Sequence, residues 1–141
     1  MKYATRMLVL AMTMLPLLAT AQLNSSEKLV AQVPFEFVLG NKVVPAGEWT
    51  VQSASSDSKV IQIRNRDAAV NMLSMPLMIE SKQAPAKCTL VFHKYGSNYF
   101  LSEVKIEGTR NGYRLPETKA EKEIRAQNGP ATSEILLASR E

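Results

Sequence analysis

One cysteine, Cys88, one histidine, His93, and one tryptophan, Trp49, are all that this chain of 141 residues holds of those three types. A lone cysteine excludes an intramolecular disulfide, so the fold has to stand on its apolar core. One histidine and one cysteine are too few for the three or four converging ligands of a zinc site. There is no loop with the DxDxDG spacing of a calcium site, no glycine-rich phosphate loop, and therefore no cofactor to expect. Every histidine-based mechanism rests on His93. Long apolar runs are missing too. The run Met7 to Leu18 is interrupted by Thr13 and Pro16 and falls short of the roughly 18 apolar residues that a transmembrane helix needs.

What that run has instead is the anatomy of a secretory signal. Lys2 and Arg6 precede it and Ala19-Thr20-Ala21, a small-x-small cleavage pattern, follows it. The sequence predicts residues 1–21 as a signal peptide, Gln22 as the first residue of the exported form, and a periplasmic or extracellular destination. No cysteine stands at the cleavage point and no twin-arginine pair precedes it, so the general secretory route is expected. Lys2 and Arg6 leave with the signal while all 13 acidic residues remain, which lowers the formal net charge from +4 to +2. Charges of both signs are interspersed in what is left, which excludes the cationic stripe of a nucleic-acid binder. After signal removal no transmembrane segment remains.

Residues 22–31 are polar and are expected to be a flexible lead-in, with a single β domain over 32–141. From Val33 the apolar residues fall at every second position, through Phe35, Phe37 and Leu39, which is the period of a strand packed on one face. Gly40-Asn41 turns the chain, Lys42 to Val44 returns, Pro45-Ala46-Gly47 turns again, and Glu48 to Ala54 continues with Trp49 and Val51 inward. Lys59 to Arg64 places Ile61 and Ile63 inward. The stretch Ala68 to Glu80 is long and methionine-rich, and Pro76 predicts a bend, a bulge or an edge there, because proline donates no ladder hydrogen bond. Lys87 to Tyr95 and Tyr99 to Glu107 flank Gly96-Ser97-Asn98 as a hairpin. Beyond Gly108, Thr118 and Glu121 have capping-box spacing for a helix that stops at Asn128-Gly129-Pro130, and Ile135 to Leu137 supplies a closing strand. The expected fold is mostly β: an antiparallel meander forming a small barrel or flattened sandwich of about eight strands, with one C-terminal helix.

The segments Val33-Pro34-Phe35-Glu36-Phe37, Pro45-Ala46-Gly47-Glu48-Trp49-Thr50-Val51 and Leu90-Val91-Phe92-His93-Lys94-Tyr95-Gly96 resemble a family of small exported bacterial proteins of unknown function. Tyr99-Phe100-Leu101, Leu115-Pro116 and Ala120-Glu121 extend the likeness over most of residues 33–125. The resemblance implies export and a single small domain. It brings no activity, cofactor or catalytic residue with it. Where this chain has Trp49, the family often has tyrosine.

Pairing Tyr95 with Tyr99 across a three-residue turn sets His93 opposite Leu101 and Val91 opposite Glu103. One face of the hairpin then carries Val91, His93, Tyr95, Tyr99, Leu101 and Glu103, and the core face carries Cys88, Leu90, Phe92, Val104 and Ile106. His93, Tyr95, Tyr99, Leu101 and Glu103 form the candidate ligand or partner face. His93 with Glu103 is an acid–base pair in this register, the basis of an alternative reading as a minor periplasmic hydrolase. Nucleophilic catalysis also needs a serine or cysteine within reach, and Cys88 points the wrong way. Trp49 reads as core, and Met72, Met75 and Met78 as fillers of core gaps or the walls of an adaptable pocket. Leu115-Pro116-Glu117-Thr118 has the letters of a sortase signal, but no hydrophobic segment with a basic tail follows, so it reads as the lead into the capped helix. Val91, Tyr95, Tyr99 and Leu101 leave too much apolar surface uncovered, so residues 113–127 are expected to lie on them with His93 at the margin. The functional expectation is an exported protein acting by binding a small ligand or as an envelope component. It assigns neither catalytic nor metal-binding residues.

Overall fold

Apolar side chains at every second position build eleven strands, with one helix packed on their outer side, between Glu27 and Glu141, the residues that the structure, a computed structural model, describes. The predicted signal, residues 1–21, and the first half of the lead-in, residues 22–26, lie outside the described residues. The strands are β1 (Lys28–Val33), β2 (Phe37–Leu39), β3 (Lys42–Val44), β4 (Gly47–Ser53), β5 (Ile61–Asn65), β6 (Val70–Ser74), β7 (Leu77–Glu80), β8 (Cys88–Tyr95), β9 (Asn98–Lys105), β10 (Asn111–Arg114) and β11 (Thr132–Arg140), with helix α1 (Lys119–Asn128) before the last.

The lead-in is shorter than expected. Lys28 to Ala31 belong to β1, where they pair with Trp49 to Gln52 of β4, and Leu29 and Ala31 point into the core. Their apolar side chains fall two apart, as in any half-buried strand, so composition alone misplaced this boundary.

Antiparallel ladders run from β1 through β4 and β5 to β6 on one side, and from β1 through β11, β8, β9 and β10 to β7 on the other. The chain passes from β6 straight into β7 at Met75-Pro76. That proline lies where one strand leaves its partner β5 and continues as the partner of β10, a site that needs no ladder donor. The result is a nearly closed barrel. β11 completes the wall between β8 and β1.

The short hairpin β2–β3 stands apart from the wall. It touches β9 through a single parallel bridge, Val38 to Phe100, and sends Phe37, Leu39 and Val44 into one end of the barrel. There Phe37 meets the edge of Trp49 at 4.9 Å and of Phe92 at 5.2 Å, and the Trp49 indole donates to the Pro45 carbonyl at 3.1 Å. The sequence reading placed Phe37, Trp49, Val51, Ile61, Ile63, Leu90, Phe92 and Val104 inside, and all are buried, while Phe35 and Ile106 are half-buried against the same core. Cys88 is buried inside as well, its sulfur accepting from the Glu107 amide.

Candidate functional site

The β8–β9 hairpin turns through two residues, Gly96 and Ser97, not three. Gly96 has φ +60° while Ser97 keeps a negative φ, the pattern of a type II′ turn with glycine first. Tyr95 therefore pairs with Asn98, Lys94 with Tyr99, His93 with Phe100 and Phe92 with Leu101. The predicted register is one residue out over this stretch. It is recovered at Val91 and Glu103, which do pair, because Ser102 is an extra residue in β9 with no partner, a β-bulge.

This shift divides the candidate face. Tyr99 and Leu101 turn to the interior side. Leu101 joins the core, and Tyr99 stacks on Phe35 at 3.8 Å with the Lys94 ammonium 5.2 Å from its ring centre. His93, Tyr95 and Glu103 stay outside, but not as a group. Glu103 accepts two hydrogen bonds from the Arg114 guanidinium, at 2.8 and 3.0 Å, and Lys105 lies 3.6 Å away. It is tied into a surface ion pair, and His93 turns to other partners.

Those partners are Glu121 and Ser102. His93 Nδ1 lies 2.6 Å from Glu121 Oε1, and its Nε2 lies 3.0 Å from Ser102 Oγ. A carboxylate only accepts, so Nδ1 carries the proton, and in the neutral ring Nε2 then accepts from the serine hydroxyl. The Tyr95 hydroxyl also donates to Glu121 Oε1, at 3.3 Å. Burial, and after it the charge of Glu121, raises the Tyr95 phenol above its usual value.

Three elements deliver these groups. β8 presents His93 on its outer side, and the bulge turns Ser102 outward from β9. Thr118 caps α1 by accepting from the Glu121 amide at 3.1 Å, as the capping-box spacing predicted. The Glu121 carboxylate goes to the barrel wall and is 4% exposed, the only fully buried residue of the helix. Ala120 and Ile124 of the same helix are half-buried. The helix lies over β8, as expected, but a carboxylate anchors it. Ser102 was absent from the sequence reading, and Glu121 figured there as the capping-box partner of Thr118, not as a site residue. A signal for the first exists: inward residues fall at 99 and 101, then at 104 and 106, and this change of parity marks a bulge.

Of two cavities in the barrel, only the second borders this arrangement. The first opens at the barrel end opposite β2–β3, has a volume of about 330 Å³, and is walled by Leu29, Val51, Ile61, Val104, Ile106 and Tyr113. Gln52, Ser53, Ser55, Ser56 and Ser58 form its rim, with Glu27 as its one charged residue. The second, of about 380 Å³, lies where β9 leaves β2, between the β6–β7 bend and the start of α1. Met72 and Met75 line it and Met75 is 75% exposed, whereas Met78 lies outside it on β7.

Among the described residues no three His, Cys, Asp or Glu side chains converge as a metal would require, and no helix is long and apolar enough to cross a membrane. Comparisons with protein-family models, curated proteins and solved structures found no match.

Proposed function

We propose that this chain is an exported binding protein that holds a small, largely uncharged molecule in the open end of its barrel. The cavity of about 330 Å³ carries this reading. Its size falls within the range of about 300–1,000 Å³ typical of small-molecule sites. Its wall side chains are apolar apart from the Tyr113 hydroxyl, and the serine hydroxyls and the Gln52 amide at the rim can orient a hydroxyl or carbonyl head while the apolar body enters the barrel. No lysine or arginine lines it, which argues against an anionic ligand. Export is part of the proposal, supported by the basic, apolar and small-residue segments of residues 1–21.

Nile red, a neutral dye that brightens in apolar surroundings, is the probe of choice. The full chain should bind it, 1-decanol should displace it, and the bound alcohol should raise Tm by mass action. Ile106→Trp, at a half-buried position of the wall, should fill the cavity and weaken dye binding at least about tenfold, roughly 1.4 kcal/mol. Equal binding by the variant would dismiss the cavity as the site. No binding at all would leave a purely structural envelope role as the better account.

A further inference from the structure

The seam between α1 and the barrel is an odd place for a carboxylate. Val91, Tyr95 and Phe100 are buried on the outer side of the hairpin, and an apolar residue at position 121 would join the helix to them without the cost of burying a charge. Glu121 is there instead, 2.6 Å from a histidine whose far nitrogen meets a serine hydroxyl at 3.0 Å. Nucleophile, base and orienting acid stand in the order that activates a serine, within the hydrogen-bond reach such a chain requires. His93 is the member open to solvent, with 37% of its side chain exposed, and Ser102 is 5% exposed.

The second cavity lies beside this trio. Glu121 lines it, as do Phe100 and Leu101, the two residues before Ser102, and Leu115, whose amide donates to the Ser102 carbonyl at 2.8 Å. Val38, Leu73 and Met75 give it an apolar wall.

From this geometry we infer that Ser102, His93 and Glu121 form an acyl-transfer site, with the neighbouring cleft taking the apolar acyl group of an ester. In the first step Ser102 Oγ bonds to the ester carbonyl carbon and its proton passes to His93 Nε2. The tetrahedral adduct collapses, the bond to the alkoxy oxygen breaks, and the leaving alcohol takes that proton. Water then gives a proton to Nε2 as its oxygen attacks the acyl carbon. Ser102 leaves with the proton returned, and a carboxylic acid is released. Water is the only co-reactant. Ser102 and His93 are the catalytic residues. Glu121 is a positioning residue that holds the ring tautomer and steadies the imidazolium.

The test uses the full chain with a fluorophosphonate probe and two chromogenic esters, p-nitrophenyl acetate and p-nitrophenyl butyrate. The unmodified protein should take one phosphonyl group, located on Ser102 by peptide mass. Ser102→Ala should lose the label and fall to the rate of buffer, with an unchanged near-ultraviolet circular dichroism spectrum. Glu121→Gln should lower kcat at least tenfold with KM little changed, a split that a role in helix docking alone would not produce. Butyrate should be turned over faster than acetate. Absence of label on Ser102 in the unmodified protein, or equal turnover by Ser102→Ala, would overturn the site and reduce the trio to a structural clasp. Equal rates on the two esters would overturn the cleft as the acyl site.

Discussion

Replacing Phe92 with alanine tests the core and the register together. Its side chain faces the barrel interior from the middle of β8, is 0% exposed, and meets the edges of Phe35 and Phe37, each at 5.2 Å. Truncating a buried phenylalanine costs about 3–5 kcal/mol in lost transfer energy and residual cavity. The two edge-to-face pairs add about 0.5–1.5 kcal/mol each beyond area. β8 is held on both sides, by β9 and β11, so its backbone cannot sink into the gap. The expected loss therefore lies at the upper end, about 4–5 kcal/mol. Against a whole-domain stability of roughly 5–15 kcal/mol, that is about a quarter or more of the total. Urea denaturation followed by the fluorescence of Trp49, which packs on Phe37 at 4.9 Å, reads it directly. With a slope of about 1–3 kcal/mol/M the midpoint should drop by roughly 2 M at an unchanged slope. Phe92→Leu, which keeps much of the volume and neither edge contact, should lose markedly less. A loss below about 1 kcal/mol for the alanine variant would place the side chain in water and refute the packing described here.

Tyr95 should give the barrel an alkaline limit. Burial and the charge of Glu121 hold its phenol above the usual 10.0, so the folded chain keeps a proton that the unfolded chain releases. The associated stability is complete below about pH 10 and declines as pH rises through the folded value, so Tyr95→Phe should flatten the loss above about pH 10 in thermal denaturation; parallel curves would refute this. Gly112 allows β10 to press on β9, since a Cβ there would lie 2.8 Å from the Val104 carbonyl oxygen. Gly112→Ala should cost about 1–3 kcal/mol, and an unchanged Tm would mean the strands part easily. Intact-mass measurement of the exported protein should give a chain starting at Gln22, and a mass retaining residues 1–21 would end the export proposal.

The proposed function depends on two kinds of information, one local and one not. Alternation with period two is a property of a few neighbouring residues, and it placed Trp49, Ile61, Ile63, Leu90 and Phe92 inside before any partner was known. Pro76 announced the bend between β6 and β7 for an equally local reason, its missing donor. The cap at Thr118 and the closing strand at Ile135 to Leu137 were legible in the same way. Register was not. It depends on whether Gly96 opens a turn of two residues or three, and each choice sends Tyr99 and Leu101 to a different side.

The sequence by itself determined a mostly β chain with one capped helix, an inward set of apolar residues, and His93 as the only histidine a mechanism has to work with. Which acid and which hydroxyl His93 meets was decided by the tertiary structure. Ser102, nine positions away, reaches it because a bulge turns that residue outward, and Glu121, 28 positions away, because the helix docks on β8. The barrel mouth is likewise walled by β1, β4, β5, β9 and β10, which meet only when the ring of ladders forms. Contacts of that span are fixed by how the whole chain satisfies its backbone pairing and buries its apolar faces at once, and a local pattern carries no record of that.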